Sequence, residues 1–273
     1  MKRDRVIGFA LRVLGALGGL FMIFPFVWML STSVKSSSEA LTVPPVLIPA
    51  HPTLDNFHRA VDLVPLWRMF GNSVVVSVLA TAAQLLTSAM AAYGFSRISF
   101  RGRDGIFLLY LATMMIPFQV TVVPLFMEMQ HAGLVDTFAG LVLPQLVSAF
   151  GVFLLRQSML KLPRELEEAA IVDGAGHARM FSRIVLPLVA PSLATLGILS
   201  FMATWNAFLW PLVIISSTDK MTLPLGLANL QGQYSTDWSL VMAGTSFAVI
   251  PIVLVYVLAQ RRITEGFLMS GLK

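Results

Sequence analysis

The sequence has no cysteine, and only 12% of its residues are charged. The lack of cysteine excludes disulfide frameworks, Fe–S clusters, thiolate zinc sites and cysteine nucleophiles. Soluble domains typically carry about 25% charged residues, so half of the usual solubilising charge is missing. Hydrophobic residues instead make up 56% of the chain, and the mean hydropathy is +0.79. These values indicate a protein of the lipid bilayer.

Two further absences limit the mechanism. There is no G-x4-G-K-[ST] phosphate loop, so the chain cannot be its own ATPase. No carboxylate, histidine or lysine lies inside a long apolar stretch. This argues against a proton-coupled carrier, which needs ionisable relays within the membrane, whereas a sodium site built from carbonyls stays open. The four histidines lie in separate loops without catalytic partners, which disfavours a membrane enzyme.

Long charge-free stretches predict an all-α transmembrane protein, a six-helix bundle that forms a single domain over residues 1–273. The predicted helices cover approximately residues 11–30, 70–95, 105–127, 137–157, 185–213 and 238–260. Each is about as long as the roughly 20 residues that cross a bilayer core. A β-barrel would instead show alternating segments of about 10 residues. We expect the first stretch to be retained as a helix, because it is longer than the apolar region of a signal peptide.

The fifth stretch is too long for one straight span. Residues 184–218 contain no charge and include three prolines, Pro187, Pro191 and Pro211. We expect a helix that begins near Pro187 and becomes irregular after Trp210. Irregular backbone at membrane depth occurs where it is buried in protein or lines a cavity. This end of the helix is therefore a candidate for the translocation path.

The basic residues predict the orientation. Of the 19 Lys and Arg residues, 15 fall in one alternating set of segments and only four, Lys35, Arg59, Arg68 and Lys220, fall in the other. Segments rich in Lys and Arg remain in the cytoplasm. Both termini are therefore predicted to be cytoplasmic, as is the segment 158–187 between the fourth and fifth helices.

Residues 158–187 have the pattern of two short helices separated by a turn. The first helix begins with three carboxylates, Glu165, Glu167 and Glu168, which the positive end of the helix dipole favours. Gly174 and Gly176 are predicted to end this helix, and a second begins at about His177. A hairpin that lies on the lipid surface is one interpretation. Docking into another protein is the other, and the acidic start favours it.

The same segment contains a gap-free motif. It reads E-A-A-x3-G-x9-I-x-L-P and consists of Glu168, Ala169, Ala170, Gly174, Ile184, Leu186 and Pro187. The motif resembles the EAA loop of permeases in binding-protein-dependent ABC importers, and we call residues 158–187 the EAA loop. The resemblance implies that these seven residues couple the chain to an ATPase. Glu168 would pair in the ATPase cleft, the alanines would permit close approach, and Gly174 would form the turn.

Further segments resemble the carbohydrate permeases of this family, most closely the smaller permease of maltose-type transporters. They are Ala91–Arg103, Met114–Phe126, Trp205–Leu212, Thr222–Tyr234 and Gln260–Lys273. The last of these is either a basic stop signal alone or also a contact for the ATPases. Permeases for amino acids, peptides or metals share the EAA loop and remain alternatives, as do glycerol-phosphate and polyol cargoes.

The resemblance implies a complex in a bacterial or archaeal cytoplasmic membrane. Its partners would be a second permease, two ATPase subunits and an external sugar-binding protein, with no role for nucleic acid. ATP and Mg²⁺ would be held by the ATPases, so this chain would bind no cofactor or metal and would catalyse no reaction itself.

Four residues are candidates for the translocation path: Asn72, Gln119, Trp205 and Asn206. The pair Trp205–Asn206 combines an aromatic face with an amide, which suits a sugar. The alternative is structural, because amides within membrane helices commonly hydrogen-bond to neighbouring helices, and this pair could equally cap a kink.

Overall fold

The computed structural model describes the backbone of residues 2–231 and 236–271. Apart from residue 10, it describes the side chains of residues 7–231 and 236–257. All regular structure in these ranges is helical, which confirms the all-α class. The α-helices are α1 (Lys2–Ser33), α2 (Ser37–Ala40), α3 (Asp55–Leu63), α4 (Leu66–Arg97), α5 (Arg103–Ala112), α6 (Phe118–His131), α7 (Phe138–Val142), α8 (Ala149–Leu160), α9 (Glu165–Val172), α10 (His177–Met180), α11 (Leu186–Leu188), α12 (Ala190–Trp205), α13 (Leu209–Ile214), α14 (Leu223–Ala228) and α15 (Trp238–Gly271).

Three helical stretches are long and apolar enough to cross a membrane alone: Ile7–Ser33 of α1, the whole of α4, and Trp238–Val257 of α15. Three further candidate spans are pairs of helices joined at a bend. They are Arg103–Met115 with Phe118–His131 at 99°, Phe138–Gln145 with Ala149–Leu160 at 43°, and His177–Leu188 with Ala190–Trp205 at 77°. With each bent pair taken as one span, the described residues contain six.

The bends interrupt stretches for which the sequence predicted continuous helices. The predicted helix 105–127 breaks before Pro117, whose ψ of 136° is extended. Proline lacks the amide hydrogen that continues a helix and pushes the preceding residue out of the helical region. The predicted helix 137–157 is interrupted after the Leu143–Gln145 turn, where Ser148 is extended and its side chain caps the start of α8.

The fifth predicted helix differs from expectation at both ends. A π-helical turn, Phe181–Val185, leads into α11, and the chain bends at Val189 before α12 begins. The first break lies before Trp210, because α12 already ends at Trp205, and the chain becomes irregular again after Ile214, as expected beyond Trp210. Trp210 then belongs to α13, where Pro211 is tolerated in the first turn of the helix.

The chain divides into two compact units, and the larger comprises residues 68–225 and 251 onward. It contains two apolar cores. The first, which we call the loop-side core, consists of Ala89, Ala92, Tyr93, Phe107, Val152, Leu155, Met159, Val185, Val189 and Leu196. The second, which we call the far core, consists of Val76, Leu141, Trp210, Ile214, Ile215 and Leu225. Helix α4 contributes to both cores, near its end and near its beginning respectively.

The smaller unit comprises residues 1–67 and 226–250. Its loop after α1 is fastened by Asn56, whose side-chain amide donates to the carbonyls of Ser33 and Lys35 at 2.9 and 2.7 Å. Arg59 and Ser37 both contact the carboxylate of Asp237 just before α15, at 3.1 and 2.7 Å. Among the described residues, the apolar window of α1 contains none that is buried. Its surface is therefore available to lipid or to another subunit.

Candidate functional site

The EAA loop forms the helix–turn–helix that its sequence predicts. Helix α9 ends in a turn where Gly174 has a φ of +78°, a conformation that favours glycine. The amides of Gly174 and Ala175 donate back to the carbonyls of Ile171 and Ala170, both at 2.9 Å. These bonds satisfy carbonyls at the helix end in the Schellman pattern. Gly176 has a different role from the predicted one, because its φ of −78° is ordinary and it caps the start of α10.

The outward face of α9 combines apolar and acidic side chains. Leu166, Ile171 and Val172 are 45%, 57% and 87% exposed. Glu168 and Ala169, the first two residues of the motif, are exposed beside them. A helix on an anionic lipid surface usually presents Lys and Arg on its polar face, and α9 presents carboxylates. The face therefore differs from the basic face that such a lipid-bound helix presents.

Glu167 points the other way and fastens α9 to the end of α4. Its carboxylate lies 2.9 Å from Nε of Arg97, and the two side chains are only 15% and 4% exposed. The Arg97 guanidinium also donates to the carbonyls of Met159 and Leu162 at 2.5 and 3.0 Å. Sequence reasoning missed this pair, because it treated Glu167 only as a helix-start carboxylate and Arg97 only as a topology marker.

Tyr93, one turn before Arg97 on α4, contacts the second helical segment of the loop. Its hydroxyl lies 3.3 Å from Nδ1 of His177, and its ring centroid lies 5.3 Å from that of Phe181. The last two turns of α4 therefore contact both arms of the helix–turn–helix.

The remaining motif residues are not all on the exposed face. Ala170 and Ile184 are half-buried, and Pro187 is exposed. Leu186 packs against the loop-side core, next to Val185, which is fully buried. The structure thus separates the motif into an exposed part around Glu168 and a part that anchors the loop to the membrane helices.

The candidate path residues occupy two kinds of environment. Asn72 donates its amide to the carbonyls of Asp219 and Met221 at 2.8 and 2.9 Å. Trp205 is 1% exposed and packs against Phe201 and Phe70 with ring centroids 5.7 and 5.6 Å away. Protein contacts thus hold both side chains.

Asn206 and Gln119 are exposed. Asn206 caps the end of α12, since its amide donates to the carbonyl of Met202 at 2.8 Å. These two residues are the candidates whose side chains remain open to a ligand.

A polar cluster that sequence reasoning also missed surrounds Asp136, a non-glycine residue with a φ of +56°. Its carboxylate accepts from the hydroxyl of Ser217 and from the amides of Ser216 and Ser217, the last two at 3.0 Å. Lys220 lies 3.1 Å away. The Ser217 hydroxyl, followed by the backbone amide and Lys220, lowers the pKa of this carboxyl well below its ordinary value. The cluster thus holds Ser216, Ser217 and Lys220 of residues 216–223, which we call the far segment.

Comparison with known proteins matches residues 84–267 to the family described as binding-protein-dependent transport system inner membrane components. An arabinooligosaccharide transport system permease of Halalkalibacterium halodurans is 37% identical over 100% of this chain and 99% of its own length. A lactose transport system permease of Rhizobium radiobacter is 36% identical over 93% of each chain. A chain of a bacterial importer of the acidic polysaccharide alginate shares the fold, with a TM-score of 0.85 and 23% identity over 96% of this chain and 98% of its own.

Proposed function

This chain belongs to the binding-protein-dependent transport system inner membrane components, and on that premise we propose that its EAA loop receives force from a separate ATPase. As a permease, it is a membrane subunit without a catalytic role. ATP hydrolysis takes place on partner subunits, which hold the nucleotide and Mg²⁺. The loop converts closure of the ATPase pair into a change of access to the translocation path.

The exposed face of α9 is the observation that carries this proposal. Val172 and Ile171 expose apolar surface beside the acidic Glu168, and the Schellman turn at Gly174 fixes the angle between the two arms. Burying such a face against a protein groove removes apolar surface from water and is favourable by roughly 25 cal/mol per Å². Glu168 supplies a carboxylate that pairs with a basic or hydrogen-bonding group of the ATPase.

The cargo we propose is a carbohydrate. The arabinooligosaccharide and lactose permeases that support this are similar over at least 93% of this chain. The exposed Asn206, which follows the buried Trp205, is our first candidate for a cargo contact, with Gln119 as the second. Other cargoes of ABC importers are the competing proposal, and transport assays with the purified complex distinguish them.

The partners we propose are a second permease, two ATPase subunits and an external sugar-binding protein, in keeping with the family's dependence on a binding protein. We place the EAA loop and both termini on the cytoplasmic side, as the distribution of basic residues indicates. The basic tail from residue 260 is a further candidate for ATPase contact, and its side chains lie outside the described residues.

The test is purification of the tagged chain from its native membranes, with mass spectrometry of the chains that accompany it. We expect an ATPase with a phosphate loop, and loss of transport in Glu168→Lys and Gly174→Asp variants that still insert in the membrane. Gly176→Asp is the matched control, because Gly176 has an ordinary φ, caps the start of α10 and has no atom within 4 Å of a Cβ built there. Normal transport by Glu168→Lys and Gly174→Asp, or absence of an ATPase from the wild-type complex, would overturn the proposal.

A further inference from the structure

Helix α4 differs from the other candidate spans in having no proline. It runs for 32 residues without a break. Each of the other five candidate spans of the described chain includes at least one proline, and three of them are bent by 43° to 99°. Because proline is the usual cause of a sharp kink, an unbroken helix without proline is comparatively stiff along its axis.

The C-terminal end of α4 contacts both helical arms of the EAA loop, α9 and the segment that begins at α10. Arg97 forms the ion pair with Glu167 of α9, and Tyr93 contacts His177 and Phe181. The Nη2 atom of Arg97 donates to two backbone carbonyls, while its Nε lies 2.9 Å from the Glu167 carboxylate as an ion pair without hydrogen-bond alignment. The planar guanidinium places nitrogens at both sites at once, which the single ammonium of a lysine would not do.

The beginning of α4 is fastened to the far segment. Asn72 donates to the carbonyls of Asp219 and Met221, and the hydroxyl of the buried Ser73 accepts the amide of Leu223 at 2.7 Å. At about 1.5 Å of rise per residue, Asn72 and Arg97 lie about 37 Å apart along the helix. The helix therefore joins the EAA loop to a segment at the opposite end of the same compact unit.

We propose that α4 is a rigid link that moves the far segment with the EAA loop, and that Arg97 is the positioning residue that fastens the loop to this link. The inference rests on the proposed function, in which the loop receives force from the ATPase. A displacement of α9 pulls on α4 through a buried ion pair, whose separation would leave a charge unpaired. The stiff helix carries the displacement to Asn72 and Ser73, and their hydrogen bonds carry it to the far segment.

The absence of cysteine makes the link directly measurable. A single Thr218→Cys substitution places one thiol on this chain at an exposed position of the far segment. The thiol is labelled with an environment-sensitive fluorophore in the intact complex in nanodiscs. The emission is compared before and after Mg-ATP with orthovanadate, which arrests the ATPase. We expect a clear change with the otherwise wild-type chain.

Arg97→Glu should reduce this change at least fivefold while the ATPase stays in the complex and continues to hydrolyse ATP. The double charge swap of Arg97→Glu with Glu167→Arg should restore at least half of it. Arg101→Glu makes the same charge change at an exposed residue near the end of α4 and should leave the signal intact.

A second variant tests the other end of the link without disturbing the loop. Asn72→Leu keeps a side chain of similar length but removes two hydrogen bonds, and it should also reduce the change at Thr218→Cys at least fivefold. An unaltered change in Asn72→Leu or in Arg97→Glu would overturn the inference. So would a charge swap that keeps the ATPase in the complex and active but does not restore the signal. Absence of an ATPase from the wild-type complex would instead overturn the proposed function.

Discussion

The backbone of Gly151 in α8 lies against Ser88 of α4 so closely that a Cβ on Gly151 would stand 2.5 Å from the serine Oγ. Ser88 is fully buried, so its hydroxyl cannot turn out into solvent to relieve the contact. Small residues let membrane helices approach at such distances, and packing at short range then holds them together. This contact joins α4 to the loop-side core.

We therefore expect Gly151→Leu to lower the thermal unfolding temperature of the purified chain. Overpacking a close contact costs on the order of 1–3 kcal/mol. Gly94→Leu is the control, because no atom lies within 4 Å of a Cβ built at that position of α4. Combining Gly151→Leu with Ser88→Gly should recover part of the loss. Equal unfolding temperatures for Gly151→Leu and Gly94→Leu would show that the close approach does not matter.

A series at Gly174 tests the turn of the EAA loop. Asparagine tolerates the left-handed conformation better than other residues with a Cβ, whereas a β-branched residue is disfavoured most. Gly174→Asn should therefore retain most of the transport rate, Gly174→Ala less, and Gly174→Val least. Uptake of labelled sugar into proteoliposomes measures the order. The same order at Gly176, whose φ is negative, would contradict the assignment of the turn to Gly174.

Substitutions at Trp205 and Asn206 should affect different properties: the first should lower stability, and the second should change transport. Trp205 is buried between aromatic rings, so Trp205→Ala should destabilise the chain by about 3–5 kcal/mol. Asn206 is exposed and makes one hydrogen bond at a helix end, so Asn206→Ala should leave the unfolding temperature almost unchanged. If Asn206 contacts the cargo, its alanine variant should raise the KM of transport. An unchanged KM would remove Asn206 from the translocation path.

The Asp136 cluster predicts a defined pH dependence. The pKa of Asp136 is lowered, first by the Ser217 hydroxyl, so the folded state favours the ionised carboxylate. Its contribution to stability is then complete above the ordinary value of about 4 and is lost as the pH falls below it. The unfolding temperature of Asp136→Asn should be lower than wild type by a constant amount between pH 5 and 8, and the gap should narrow only below pH 4. A gap that changes between pH 5 and 7 would contradict a lowered pKa.

Local chemistry made the EAA loop predictable from sequence. The carboxylates at the start of α9 and the glycine at its end specify the helix within a few residues, and no distant contact is needed. The spans were predictable as apolar stretches for the same reason, since hydropathy is a property of the local sequence. The break after Trp205 was missed because Asn206 ends α12 by capping it, a signal weaker in the sequence than the prolines nearby.

The ion pair of Arg97 with Glu167 and the cluster around Asp136 could not be predicted in this way. Their members are separated by whole helices in the sequence, and only the packed fold brings them together. The three closely spaced carboxylates of α9 look equivalent in sequence. Their roles separate only when the packed face of the helix is known, with Glu167 turned inward and Glu168 exposed.

Site-specific cross-linking at Val172 tests the central claim most directly. Val172 is 87% exposed on α9, and Val172→Cys would be the only thiol of this chain. A photoactivated cross-linker attached there should capture the ATPase subunit in the purified complex, whereas the same reagent at Thr218→Cys should not. Capture of the ATPase at Val172 alone is the result that this account predicts. No capture at Val172, or equal capture from both positions, would contradict the assignment of the EAA loop as the ATPase-docking element.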